Sequence, residues 1–192
     1  MSIARWRQGL LISVLLPCCW LAMMAVHEGG HVLGAWAGGG VVERVELHPL
    51  AISRTVMREN PHALLEIWCG PLFGALLPVL IAAAWWWGRL PAAHLPRFFA
   101  GFCLVANGTY LIAGAVTGDG DAGELLGLGV PAWGLAVAGA PLVVAGLVAW
   151  HRLGAEFGFG NGGERVTWSQ VAIVACLLTA IVSLELGFFT SI

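Results

Sequence analysis

Residues 20–37 read Trp20-Leu21-Ala22-Met23-Met24-Ala25-Val26-His27-Glu28-Gly29-Gly30-His31-Val32-Leu33-Gly34-Ala35-Trp36-Ala37. The segment is apolar except at its centre and reads as a helix. On a helix, His27 and His31 stand four apart, on one face with neighbouring side chains. Two imidazoles so placed can bind one zinc ion through ring nitrogens, with Glu28 close enough to take a proton from a water held there. The residue types follow from the chemistry, because water is a poor nucleophile at neutral pH. Zinc lowers its pKa to about 7, and a carboxylate takes the proton and later hands it to a leaving amine. At this composition the His-Glu-x-x-His spacing arises by chance on the order of 0.01 times per chain. The competing reading is three buried polar side chains satisfied by other helices. Ionisable groups inside an apolar segment are costly and usually functional, which favours the metal reading.

Around the motif, residues 9–38 form one apolar stretch interrupted by Pro17. It is either a single kinked helix or a short lead-in followed by the motif helix. Arg5 and Arg7 ahead of it mimic the start of a secretory signal. No small-x-small cleavage site closes the run, so a retained membrane helix is expected. Gly30, Gly34 and Gly38 form a small-residue stripe that lets another helix approach closely. Gly29 and Gly30 could also leave room for an extended substrate backbone.

Composition extends this reading to the whole chain. Of 192 residues, 59% are hydrophobic and only 10% charged, and the mean hydropathy is +0.85. A soluble domain carries roughly 25% charged residues. Further apolar runs at about 64–87, 98–116, 133–150 and 169–189 approach or exceed the roughly 20 residues that span a bilayer. The expected fold class is an all-α polytopic membrane protein. It has five to six transmembrane helices in a single domain over 1–192. A net charge of −2, no lysine and nine scattered arginines give no face for nucleic acid. Cys18, Cys19, Cys69, Cys103 and Cys176 lie in apolar segments without a Cys-x-x-Cys, and read as small core residues.

Between the spans, Val41–Leu47 and Ile52–Val56 read as strands of a short hairpin at the membrane surface. An exposed edge there could accept a substrate segment as an added strand. His48 and His62 read as surface residues. Gly70-Pro71-x-x-Gly74 and Pro78 imply a bent, close-packed second span, and Trp85, Trp86 and Trp87 mark its exit. Arg89, His94 and Arg97 are expected in a loop, and Asn107, Thr109 and Tyr110 in the third span. An acidic loop at 118–124 follows, where Asp121 with Glu124 also fits a capping box. A Gly-rich loop contains Arg152, Glu156, Glu164 and Arg165, and Glu185 is expected at an interface.

Chain alternation brings the acidic loop back to the side where the motif helix ends. A catalytic zinc with two histidine ligands needs one more protein ligand, and Asp119 or Asp121 is placed to provide it. The loops at 1–8, 88–97 and 151–168 carry two arginines each and fall on the opposite side. The hairpin's three arginines break that pattern.

With these residues the chain resembles the site-2 protease family of intramembrane zinc metalloproteases, as a divergent minimal-core member. The matching features are His27-Glu28-Gly29-Gly30-His31, the hairpin after it, Gly70-Pro71, and Asn107 followed by Asp119-Gly120-Asp121. They cover roughly residues 20–126, with additional helices over 131–190. The resemblance implies that His27 and His31 bind zinc, that Glu28 is the general base and that an aspartate completes the coordination. Gly120-Asp121-Ala122 opening a helix points to Asp121, with Asp119-Gly120 as the alternative. Asn107 matches the family's asparagine that helps to shape the substrate site. The implied partners are the lipid bilayer and a membrane protein or peptide substrate, and a prokaryotic plasma membrane suits the compact chain. Two other classes stay open. One is a non-proteolytic scaffold or regulator retaining a metal site, consistent with Asn107-Gly108-Thr109-Tyr110 lacking the proline that family members usually have soon after the asparagine. The other is a proton or metal transporter, against which no internal repeat is detectable.

Overall fold

The computed structural model describes residues 3–160 and 166–189. Glu164 and Arg165 of the Gly-rich loop lie outside the described residues. The chain runs α1 (Ile3–Ala37), β1 (Val41–Glu46), β2 (Arg54–Glu59), α2 (Ala63–Trp87), α3 (His94–Thr117), α4 (Gly120–Gly127), α5 (Ala132–Trp150) and α6 (Trp168–Phe189), with a single 3-10 turn at Leu153–Ala155. All these helices except α4 are long and apolar enough to cross a membrane. The protein is therefore a multi-pass, all-α membrane fold carrying a small antiparallel sheet.

Helix α1 is continuous through Pro17. Of the two readings of this stretch, the single helix is the one observed. Its 35 residues rise about 52 Å, more than the roughly 30 Å of a hydrocarbon core. Alternation of the spans gathers the end of α1, the hairpin, the start of α2, the end of α3, α4 and the start of α5 at one end of the bundle.

Glycines set how closely the helices approach. A β-carbon on Gly30 would overlap the Cys69 carbonyl of α2, and one on Gly34 would sit 2.7 Å from Cys69 Cβ. The stripe on α1 is thus filled by α2, as small residues permit. Gly30 leaves no space for a substrate backbone; Gly29, with nothing nearby, does. Helices α3 and α5 meet in the same way, with a β-carbon on Gly108 2.6 Å from the Gly139 carbonyl.

Three boundaries differ from those expected. α3 starts at His94 rather than 98, so His94 and Arg97 are helical. Pro96 is tolerated there because first-turn N–H groups have no helical partner in any case. The second strand starts at Arg54 rather than Ile52, in register with Glu46, and runs on to Glu59. Arg54 and Arg44 both bond the Glu46 carboxylate and hold its pKa down to about 2. The pairing is present at neutral pH and is lost only as pH falls towards that value. α4 opens at Gly120 with Asp119 at the N-cap position, so the Asp121–Glu124 capping box does not form. Glu185, expected at an interface, is 2% exposed, its carboxylate without a hydrogen-bond partner among the described residues.

Two apolar clusters matter for the site. Ala122 and Leu125 of α4 are fully buried against Leu111 of α3, Leu135 of α5 and Ile67 of α2. That contact seats α4 on the bundle. Leu21, Met23 and Met24 of α1 pack on Cys103 of α3 just before the motif. The five cysteines are free, with Cys18, Cys19 and Cys103 buried and Cys176 facing outward.

Candidate metal centre

His27, Glu28 and His31 are all buried. The ring centroids of His27 and His31 are 4.9 Å apart, as expected one helical turn apart on the same face. Their Nε2 atoms lie 3.2 Å from each other. Asp121 Oδ2 completes a triangle, 2.9 Å from His27 Nε2 and 3.3 Å from His31 Nε2. These three residues form the one group of metal-ligating side chains found among the described residues. Asp119 is exposed at the N-cap of α4 and is not part of it. His48, half-buried and bonded through Nδ1 to the Leu50 N–H, and His62, exposed before α2, are also outside it.

Hydrogen-bond partners assign the tautomers. Asn107 Nδ2 donates to the Cys103 carbonyl at 2.9 Å, so its Oδ1 is the acceptor that faces His27 Nδ1 at 2.7 Å. His27 therefore carries its proton on Nδ1. His31 Nδ1 faces two acceptors of Glu66, the carboxylate Oε1 at 2.9 Å and the backbone carbonyl at 3.2 Å, and donates to them. Glu66 is buried in the first turn of α2, where a negative charge suits the helix dipole. Asn60 Nδ2 donates to its other oxygen at 3.1 Å. In a neutral imidazole one nitrogen donates and the other accepts. With both imidazoles neutral, as a ligating histidine must be, the two Nε2 atoms turn electron pairs towards each other and towards a carboxylate oxygen.

A metal ion set among these three atoms would be within reach of all of them. A tetrahedral zinc with ligands at about 2.0–2.1 Å needs donors about 3.3 Å apart, and the observed separations lie within a few tenths of an ångström of that. The donor set of two imidazoles and a carboxylate suits zinc, and it leaves a fourth position open. Each imidazole also has its Nδ1 against a buried acceptor, the usual support of a ligating histidine. His27, His31 and Asp121 fit the ion.

Glu28 points elsewhere. Its Oε1 accepts from Ser53 Oγ at 2.8 Å and its Oε2 from Thr55 Oγ1 at 2.7 Å. The hairpin therefore grips the carboxylate from both sides and fixes its orientation. Asn107, expected to shape a substrate site, is 1% exposed, with both ends of its carboxamide engaged as above.

The second-span glycines explain themselves here. A β-carbon on Gly70 would overlap the His31 imidazole, and one on Gly74 would lie 2.9 Å from Asn107 Oδ1. Gly70 makes room for the His31 imidazole, Gly74 for the carboxamide that meets His27. Gly70→Ala is expected to cost about 1–3 kcal/mol of stability through overpacking and to lower zinc content. Thermal unfolding in detergent with metal analysis would show both, and wild-type values in the variant would refute this fit.

Glu66, Ser53, Thr55 and Tyr110 join the site without having been singled out for it from sequence. Tyr110 shows the clearest available signal, lying three residues after Asn107 on the same face of α3. Asn107→Ala and Glu66→Ala each remove an acceptor without removing a ligand. Each is expected to weaken zinc binding about 10- to 100-fold, measured by competition with a chelator. An affinity within about twofold of wild type would exclude the orienting role.

No protein-family model matches the chain, and no curated protein or solved structure matches it.

Proposed function

We propose that the chain is an intramembrane zinc metalloendopeptidase of the site-2 protease type. It would hydrolyse a peptide bond in or near a transmembrane segment of a membrane-protein substrate. The observation that carries this reading is the convergence of His27 Nε2, His31 Nε2 and Asp121 Oδ2 within 3.3 Å of one another, next to Glu28 on an apolar helix. A zinc ion held by these three residues would supply Lewis acidity, making a water more acidic and polarising a carbonyl.

The chain's own residues do the rest. Glu28, oriented by Ser53 and Thr55, accepts the proton of the attacking water and returns it to the leaving nitrogen. Asn107 and Glu66 keep the two imidazoles in the tautomer that can ligate. Gly29, with open space where a side chain would be, leaves the backbone beside Glu28 uncovered for an extended segment. A substrate helix satisfies its carbonyls internally and must unwind locally before one can react.

The test is zinc analysis of purified protein together with cleavage of single-span membrane peptides. The expected result is one zinc per chain, with cleavage lost on chelation and restored by added zinc. Bound zinc without cleavage of any peptide would overturn the protease reading and leave that of a metal-holding scaffold.

A further inference from the structure

We propose that Tyr110 is a catalytic residue of this centre, donating a hydrogen bond from its phenol to the carbonyl oxygen of the scissile peptide as negative charge develops there. The inference rests on the metalloprotease reading and adds a residue to it. The Tyr110 ring packs edge-on against the imidazole of His27, with centroids 5.7 Å apart. Its oxygen accepts the backbone N–H of Asp121 at 3.1 Å. One group thus touches two of the three candidate ligands, from α3 on one side and α4 on the other.

The direction of the bond to Asp121 is the important detail. An N–H can only donate, so the phenol oxygen is the acceptor and its own hydrogen remains unused. Among the described residues no acceptor takes that hydrogen. The side chain is 37% exposed, unlike the buried motif residues, so it stands where the centre meets its surroundings. Gly120 preserves this position. Its φ is +58°, and a β-carbon there would overlap the Tyr110 oxygen.

In the reaction, the water oxygen bonds to the carbonyl carbon and the carbonyl π pair moves onto oxygen. Glu28 holds the proton released. The oxygen pair then re-forms the carbonyl as the carbon–nitrogen bond breaks, that bond's electron pair stays on nitrogen, and nitrogen takes the proton from Glu28. Tyr110 transfers no proton. It lowers the barrier by meeting the oxygen where charge accumulates, an effect worth about 10²- to 10³-fold in kcat for one such donor.

Tyr110→Phe keeps the ring on His27 and removes the hydroxyl alone. The expected outcome is zinc content at the wild-type level, kcat lowered about 10²- to 10³-fold with KM little changed, and about tenfold weaker binding of a peptide hydroxamate to the zinc-loaded protein. Zinc loss parallel to activity loss would make Tyr110 a mere anchor for Asp121 and overturn the proposal, as would unchanged kcat or unchanged hydroxamate affinity. The hydroxamate measurement separates this failure from that of the protease reading, since it needs zinc but no turnover. A wild-type protein that holds no zinc would sink both. Tyr110 is the only tyrosine of the chain, so growth on fluorotyrosine labels it alone. A fluorine resonance that does not move when the hydroxamate binds would refute the contact even if Tyr110→Phe failed to fold.

Discussion

Glu28→Gln is expected to reduce peptide cleavage by on the order of 10²- to 10⁴-fold, the contribution of a positioned general base, while zinc content stays at the wild-type level. The two halves of this result have separate physical origins. Glutamine cannot take a proton from water, so the chemical step loses its base. The side chain is nevertheless nearly isosteric, and its surroundings can adapt. Ser53 and Thr55 now donate to the two carboxylate oxygens, and a hydroxyl can equally accept from an amide N–H. Both bonds therefore survive the exchange, and the candidate ligands His27 and His31 keep their places. Cleavage of a single-span peptide, measured with metal analysis on the same preparation, reads both quantities. Cleavage within about threefold of wild type would remove Glu28 from the base's role.

The second large effect separates the two aspartates. Asp121→Ala removes one of three donors and is expected to lower zinc affinity by more than the 10- to 100-fold typical of losing a mere supporting contact, with cleavage lost alongside. Asp119→Ala is expected to change neither, because Asp119 makes no side-chain capping bond and is exposed. Titrating each variant against a competing chelator compares them directly. Zinc loss in the Asp119 variant but not in the Asp121 variant would mean that α4 is wrongly seated. The packing argues otherwise, since Ala122 and Leu125 on either side of the first turn are fully buried.

How much of this was visible in the chain depends on how local each feature is. The His27–His31 pair needs only helical periodicity, so four residues of spacing announce it. The spans and the hairpin follow from long apolar runs and a short β-branched, charged interlude. The candidate third ligand needed one further step: counting spans brings residues 119–121 back to the motif, but alternation has no angular resolution. Only the packing of α4 on Leu111 and Leu135 turns Asp121 inward and Asp119 outward.

The supporting residues carry no local mark at all. Glu66 reads as an ordinary first-turn acid, and Ser53 and Thr55 as ordinary strand residues. Their meaning arises from contacts across 25 or more positions of chain. Gly70 and Gly74 are intermediate. Their small size announces close packing, yet that the space houses an imidazole and a carboxamide emerges only when α1 and α3 are laid against α2.

The most direct test of the convergent donor set is zinc K-edge X-ray absorption on the purified, detergent-solubilised protein. Near-stoichiometric zinc is expected, its nearest shell holding only nitrogen and oxygen at about 2.0–2.1 Å, with the outer-shell signature of two imidazoles. A protein that retains no zinc, or one whose zinc shows sulfur at about 2.3 Å, would contradict that donor set.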